Sequence, residues 1–465
     1  MICKSALLSK YKYCAPARDL CKNYSVIASV LEKANVGEVT EVKGWVRNIR
    51  IQKEHIFADV NDGSCAKKLQ IIIPKSLKTE SLTYGSSVHI TGKLSESPRG
   101  QLELVADDVK VIGDCVVSNG YPFNPRTPHP PEYTRQYLHL RSRTNYISAV
   151  LRIRSALTKH IHDYFMSKHY ININTPILTS NDCEGAGEVF KIQPDNEATV
   201  KAMMQEGRDK DSVYFGSKTF LTVSGQLHLE AACRSLGNVY TLGPTFRAEN
   251  SRSRLHLSEF YMLEAELAFC STLKQLQTEI EDFIKYIFIE IQNTNEDDLY
   301  LLEKNSKIPL WVDKPFVTLT FDEAKTILEK KGIADTEEGI NKEQELALVE
   351  HCGGIPVFVV RWPKDMKSFY MKECQDDTSK VDALDLLTPI TGEVVGGSLR
   401  EDNYDKLLSK LPSDRLNWYL ELRKFGNIPT GGFGLGLERL LQVMCGVNNI
   451  KDTLPFPRWP HNCDM

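Results

Sequence analysis

The sequence predicts an α+β protein in two folded parts, a small β-barrel followed by a larger domain in which a sheet is flanked by helices. Three observations carry this reading. Between Gly37 and Gly113 short β-rich runs alternate with turn residues, residues 114 to 143 are proline-rich and basic, and from residue 144 onward helical periodicity alternates with extended runs. At 465 residues, 42% hydrophobic and 25% charged, the chain is long enough for two or three domains with sizeable cores.

The barrel rests on five runs, EVTEVKGWVRNIRIQ, HIFADVNDG, KKLQIIIP, SSVHITGKL and GQLELVADDVKVIG, with one short helix between them. Five strands in that arrangement predict an OB-fold over residues 37–115. The stretch YPFNPRTPHPPEYTRQYLHLRSR falls in residues 116–143, which read as a linker rather than a core element. Beyond it Ile147, Val150, Leu151, Leu157, Ile161, Tyr164 and Phe165 recur at helical spacing, and YININTPIL then turns extended around Pro176. Further amphipathic helices fill 271–350. Extended runs return from Pro356 in PVFVVRWP and GEVVGGSLRED, ahead of the strand-to-helix text TGGFGLGLERLLQVMCG, so the second domain is taken as 144–465.

A net charge of −4 argues against generic nucleic-acid binding through a basic surface, and leaves room for a local patch on one domain. The twelve cysteines are dispersed without a C-x-x-C pair, which fits a reducing compartment rather than a zinc module or a disulfide framework. His160 and His162 stand two apart on a helix and point away from each other, so they form no metal pair. No apolar run approaches the ~20 residues that span a bilayer. Within the first thirty residues of the basic segment 1–36, Lys4, Lys10, Lys12, Arg18 and Lys22 face only Asp19 among serines, tyrosines and leucines, the make-up of an organellar presequence.

The chemistry concentrates in GPTFRAENSRSRLHLSEFYMLEAELAF, residues 243–269. Period-two alternation sets Phe260, Met262, Glu264 and Glu266 on one strand face and Tyr261, Leu263, Leu267 and Phe269 on the other, with Arg247 and Glu249 on a partner strand. By residue type alone three readings stand. Arg247, Arg252, Arg254 and His256 suit a polyanion; Glu249, Glu259, Glu264 and Glu266 suit a metal or an amine; and the whole also fits a surface hairpin laced with ion pairs. Two glycine-rich texts add to it: GEVVGGSLRED sets Glu393 and Arg400 around a double glycine, and GGFGLGLERLL opens a helix with Glu438 and Arg439.

Taken together with FRAE, these stretches resemble the three motifs of class II aminoacyl-tRNA synthetases: residues 144–178 with NTPIL, then FRAE with its loop, then GLGLER. The resemblance covers nearly the whole chain from Gly37. An N-terminal OB-fold is similar to the aspartyl, asparaginyl and lysyl subgroup. Within it TSNDCEGAGEVF, TVSGQLHLE and FRAENS resemble bacterial and organellar asparaginyl-tRNA synthetases, and NNIKDTLPFPRWPHNC resembles the mitochondrial animal enzymes. The resemblance implies a catalytic domain built on an antiparallel sheet flanked by helices, joining L-asparagine to tRNA(Asn) with ATP and Mg²⁺.

The resemblance also assigns residues. Arg247 would hold the α-phosphate, Arg439 and His256 the γ-phosphate, Phe260 would stack on adenine and Glu249 support that end, with Asp385 and Glu393 on Mg²⁺. Arg247, Arg439 and Glu393 form the catalytic set. Glu184, Ser224, Gln226 and Glu264 would surround the amino acid, with Arg400 reaching its side chain. Phe57 and Gln70 in the barrel match the residues that read the central anticodon uridine, with Arg47 and Arg50 steering phosphates. The expected partners are tRNA(Asn), L-asparagine and a second copy of the chain, with no membrane and no DNA, in the mitochondrial matrix or otherwise the cytoplasm.

Three positions depart from or refine the pattern. Leu229 stands where aspartyl enzymes carry a lysine, so a cation that would welcome a carboxylate is missing. Leu255 replaces the usual arginine before the histidine of the motif 2 loop, and Thr430 replaces a histidine ahead of motif 3. Beside the ligase two alternatives stay open: an aspartyl-tRNA synthetase, or a catalytically weak relative that binds RNA through the OB domain.

Overall fold

The computed structural model describes residues 25–124, 127, 129–181, 188–207, 209–302, 309–334 and 339–465, with backbone alone at residue 414. The basic N-terminal stretch up to residue 24 and Glu184 lie outside the described residues. The chain divides into two units between Tyr137 and Leu138.

In the first unit β1 (Val39–Ile51), β2 (His55–Asn61), β3 (Leu69–Pro74), β4 (Ser87–Glu96) and β5 (Leu102–Gly113) close a barrel in the order β1-β2-β3-β5-β4. Strict alternation builds its core, because Val42, Val46, Ile56, Ala58, Val60, Leu69, Ile71, Ile73, Val88 and Ile90 all turn inward and lose all or nearly all contact with water. Closure needs sharp bends. A Cβ on Gly92, at a register shift in β4, would run into the Val105 carbonyl. The helix expected between strands is a single 3₁₀ turn, Lys75–Leu77.

The barrel unit begins before Gly37. Helix Ile27–Lys33 buries Ile27 and Val30 in the barrel core, and its first amide, on Ile27, donates to Asp62 Oδ2 at 2.9 Å. The stretch read as a linker is also more than a tether. Tyr121, Phe123, His129, Tyr133 and Tyr137 form an aromatic cluster in the first unit, with Phe123 buried. Arg141, in the second unit, is fully buried and donates to the carbonyls of Lys451 and Pro455 beside Asp452. Sequence reasoning missed it because its partners lie some 310 residues away.

The second unit holds β6 (Ile171–Asn172), a small sheet of β7 (Leu178–Thr179), β8 (Lys191–Ile192) and β9 (Thr219–Leu221), and then β10 (Val239–Phe246), β11 (Glu259–Ala268), β12 (Val317–Thr320), β13 (Val357–Pro363), β14 (Lys380–Thr388), β15 (Gly392–Leu399) and β16 (Thr430–Gly436). The main sheet runs β12-β13-β14-β15-β16-β11-β10-β6. It is antiparallel through its centre and parallel at both edges, β12 with β13 and β6 with β10. Parallel neighbours need helical crossovers, which Phe321–Lys330 and Lys342–His351 supply at one edge and Gln226–Leu236 at the other.

One sheet face is covered by helices Asn145–Ser167 and Leu273–Thr294, whose Ile153, Leu157, Phe165, Ile280, Phe283 and Ile287 meet Leu263, Ala265, Leu384 and Leu435. Thr144 caps the first of these helices by accepting from Ile147 N. On it His160 turns to Thr294 and His162 to Tyr240, so the two imidazoles diverge as helical spacing requires. In β11 Leu263, Ala265 and Leu267 enter the core while Phe260, Met262, Glu264 and Glu266 face the other way. Phe269 departs from the predicted alternation: it lies past the strand's end, at φ 58° and 69% exposed.

Candidate active site

The open face of β11, with β14, β15, β16, the loop after β10 and helix Leu437–Cys445, encloses a cavity of about 500 Å³. The glycine texts make room for it. The cross-strand partners of Glu264 and Glu266 on β16 are Gly434 and Gly432, and a Cβ on Gly432 would collide with the Glu266 carboxylate, the Arg400 guanidinium and the Ala265 carbonyl. Neither glycine has a positive φ, so space rather than backbone freedom selects them.

At one end Arg247 lies 5.6 Å above the Phe260 ring and 3.8 Å from Glu249. His256 approaches the same carboxylate at 3.6 Å through Nε2, while Ser253 and Ser251 Oγ hold Nδ1 at 2.5 and 3.2 Å. Burial, then Arg439, Lys342 and Arg247, hold the imidazole below its ordinary pKa against the pull of Glu249. Arg247, His256 and Arg439 thus converge on this end of the cavity. Arg439 Nη1 reaches the Glu393 carbonyl at 3.1 Å and its carboxylate at 3.4 Å.

Asp385 and Glu393 flank Gly396, the cross-strand partner of Asp385. A Cβ there would stand 3.3 Å from Glu393 Oε1 and 3.7 Å from Asp385 Oδ1, so both carboxylates close around one small space that glycine leaves open. Burial opposes ionisation of Glu393, but Arg439, Lys367 and Lys342 outweigh it and keep its carboxyl below the ordinary value. Asp385 goes the other way. Burial, with Glu393 and Glu345 nearby, pushes it to about 6 despite Lys367, whose Nζ sits 2.6 Å away. Two hard oxygen donors facing one gap are a set that would fit Mg²⁺, an ion that takes one or two carboxylates and fills its other positions with water and phosphate oxygens.

At the other end Glu264 accepts from Ser224 Oγ at 2.5 Å and Gly225 N at 2.8 Å, and burial raises its pKa. Arg400 grips Glu266 through Nε and Nη2 and donates Nη1 to Ser398 Oγ at 2.8 Å. Burial would discharge this guanidinium, yet Glu266 and Glu230 hold it firmly charged. Leu229 lines the wall here, and Thr430 is buried at the start of β16, where its carbonyl accepts from Arg400 N. Leu255 lines the cavity near His256.

Each described residue that the resemblance assigns to ATP, metal or amino acid therefore borders one cavity: Arg247, Glu249, His256, Phe260, Asp385, Glu393, Arg439, Ser224, Gln226, Glu264 and Arg400. Sequence reasoning passed over Lys367 and Tyr370, in the unmarked text KDMKSFYM, and Glu345, which accepts from Glu393 N at 2.8 Å. No spacing in a helix such as Lys342–His351 signals that one of its acids meets a strand 48 residues on. Glu266 lay on the predicted face among the acids suited to a metal or an amine, and the resemblance gave it no role; here it pairs with Arg400.

In the barrel Phe57 pairs with Ile72, and Gln70 with Asp59 two pairs along, so both side chains share the outer face. Arg50 donates to Gln70 Oε1 at 3.1 Å, and Gln70 donates to Glu103. Arg47 sits apart from them. It falls at the register shift between Val46 and Asn48 and lies 6.0 Å over Trp45, so Arg50 is the arginine beside Phe57 and Gln70.

Comparison with known proteins matches residues 130–460 to the family described as tRNA synthetases class II (D, K and N), and residues 40–112 to the OB-fold nucleic acid binding domain. An asparaginyl-tRNA synthetase of Mus musculus is 44% identical over 92% of this chain and 91% of its own. A Dictyostelium discoideum relative named "Probable asparagine–tRNA ligase, mitochondrial" is 41% identical over 92% of this chain and 94% of its own. The Pyrococcus horikoshii asparaginyl-tRNA synthetase structure complexed with asparaginyl-adenylate superposes with a TM-score of 0.82 at 30% identity, covering 95% of this chain and all of the other. The chain belongs to the class II aminoacyl-tRNA synthetases, among the asparaginyl-tRNA synthetases.

Proposed function

We propose that the protein activates L-asparagine with ATP and charges tRNA(Asn). A carboxylate oxygen of asparagine attacks the α-phosphorus, pyrophosphate leaves, and a hydroxyl of the terminal adenosine then attacks the acyl carbon with loss of AMP. The observation that carries this reading is the pairing, in one cavity, of a cationic end at Arg247 and Arg439 with an acidic, arginine-braced end at Glu264 and Arg400. Such chemistry is accelerated mainly by positioning and by charge placed where charge gathers. Arg247 steadies the α-phosphate, His256 and Arg439 the γ-phosphate, and Phe260 stacks on adenine with Glu249 at that end. Asp385 and Glu393 would hold Mg²⁺, which neutralises phosphate charge when bound.

Glu264, Ser224 and Gln226 surround the amino acid, and the resemblance adds Glu184 to them. Arg400 keeps one Nη1 and one Nη2 hydrogen beyond those committed to Ser398 and Glu266, enough to donate to a side-chain carbonyl. Asparagine-dependent ATP–pyrophosphate exchange tests the proposal directly; exchange that is absent, or equal with aspartate, sinks it in favour of the RNA-binding or aspartyl alternatives. Phe57 and Gln70, with Arg50 beside them, would take unstacked anticodon bases on the barrel's outer face, and Arg47 would steer phosphates from farther along β1.

Homodimerisation and a mitochondrial address belong to the same proposal. After the motif 1 helix, Ile171 on the edge strand β6 and Ile177 and Leu178 at the start of the small sheet are 42%, 44% and 44% exposed, apolar surface that a second copy would cover. A single-chain mass in sedimentation at micromolar concentration would contradict the dimer. The basic N-terminus and the Dictyostelium relative's name support the address. A reporter carrying residues 1–36 that stays in the cytosol would remove it. No helix among the described residues is long and apolar enough to cross a membrane.

A further inference from the structure

Glu230 closes the SGQLHLE stretch, has no role in the motifs, and is fully buried. A carboxylate without water must be paired, and this one is paired densely. Tyr419 Oη donates to Oε1 at 2.6 Å and Arg423 Nη2 to Oε2 at 3.0 Å, while Arg400 Nε and Arg234 Nη2 each stand 3.8 Å away. One further donor comes from the amino-acid pocket itself. Gln226, one helical turn earlier on Gln226–Leu236, gives its Nε2 to Glu230 Oε1 at 3.3 Å.

We propose that Glu230 is a positioning residue for asparagine binding, fixing the Gln226 amide so that its carbonyl oxygen is the end turned to the cavity. The inference rests on the reading of that cavity as an asparagine site. A glutamine amide has one donor end and one acceptor end, and its environment decides which faces a ligand. An ionised carboxylate only accepts, so it takes the NH₂ end and leaves the oxygen for a substrate ammonium. Burial alone would neutralise Glu230, but Arg423 and Arg400 more than offset it and keep it ionised. The same carboxylate balances the wall, where three guanidiniums, Arg400, Arg423 and Arg234, meet two acids, Glu230 and Glu266.

The test is pyrophosphate exchange by the full chain. Glu230→Gln places an amide opposite an amide and frees Gln226 to turn, so KM for asparagine should rise about 10–100-fold, the range for losing an oriented bond to a charged group, with KM for ATP unchanged. Glu230→Asp keeps the charge that the guanidiniums need but withdraws the acceptor by one methylene, and should shift KM for asparagine in the same direction even if Glu230→Gln folds poorly. In a Gln226→Leu background the Glu230→Gln change should add nothing to KM for asparagine. Undiminished addition in that background, or equal rises for both substrates, would show that Glu230 merely supports the fold. Wild-type failure to exchange with asparagine would instead sink the underlying reading.

Discussion

At the scale of single residues, Arg247 and Arg439 differ from the other arginines of the site in what holds them. Arg400 and Arg423 are locked into buried acids, whereas Arg247 stands 3.8 Å from Glu249 and Arg439 meets Glu393 at 3.1 Å through its carbonyl and 3.4 Å through its carboxylate, both at the cavity wall. Both guanidiniums border the cavity, where an incoming polyphosphate would meet them. Arg247→Ala and Arg439→Ala should each lower pyrophosphate exchange by about 10²–10³ or more, the cost of deleting one preorganised charge donor, while tRNA binding persists. Near-wild-type exchange in either variant would remove it from the phosphate site. Asparagine and aspartate are nearly isosteric, so charge must separate them. With the Arg400 charge paired to Glu266 and Leu229 in place of a cation, a neutral amide should suit the pocket better than a further carboxylate set among Glu264 and Glu266. Asparagine should be preferred by at least ~10³ in kcat/KM, the lower part of what a polar site achieves against a mismatched group. Comparable values would move the chain to the aspartyl side of the subgroup.

Elements were legible where period and glycine agree. The five barrel strands and the two faces of β11 follow from alternation, and the site residues on them follow with the faces. What stayed hidden lies where partners are remote in sequence, as with Arg141 and Glu345, or where a helix crossover made the sheet edges parallel. The glycine run of β16 allows a sharp test of why it is there. Gly432→Ala would push a methyl into the Ala265 carbonyl, a backbone atom that cannot yield, and into the Glu266–Arg400 pair. Gly434→Ala would meet only the terminal methyl of Met262, the far end of a flexible side chain. The first should destabilise by about 3 kcal/mol or more and abolish exchange, while the second should cost about 1 kcal/mol. Thermal melting and exchange rates of the pair check this, and equal effects would refute the steric account.

A second element-scale test concerns acid. Glu373, between β13 and β14, receives Lys364 at 2.6 Å, Lys410 at 2.9 Å and Lys406 at 3.1 Å, which draw its carboxyl from 4.5 down to about 2. Because the folded pKa is depressed, its stabilisation is complete above the unfolded value of 4.5 and is lost as pH falls toward 2. Glu373→Gln should therefore cost about 1–2 kcal/mol at pH 7, allowing for screening by water, with the gap to wild type closing below pH 4.5. Urea unfolding at pH 7, 4.5 and 3.5 measures it. A gap that stays constant with pH would mean that Glu373 stabilises the fold by something other than its charge.

For the whole molecule the question is whether the two units carry separable tasks. All residues that border the cavity lie beyond Leu138, and Phe57, Gln70 and Arg50 lie on the barrel before it. Adenylate formation needs only the first set. Recognition of an anticodon would draw on the second, where Phe57 offers a half-buried ring on a face whose polar groups, Arg50 and Gln70, already bond one another. Stacking one base on such a ring is worth ~1–3 kcal/mol, a factor of roughly 5 to 150 in affinity. Phe57→Ala should raise KM for tRNA in aminoacylation by a factor in that range and leave asparagine-dependent pyrophosphate exchange at the wild-type rate, since no cavity residue changes. Gln70→Ala should act in the same direction but more weakly, because it removes edge hydrogen bonds that Arg50 and Glu103 compete for. If both variants charge tRNA with unchanged KM, the base is read on another face of the barrel. If Phe57→Ala slows exchange as well, the two tasks are coupled and this division of labour is wrong.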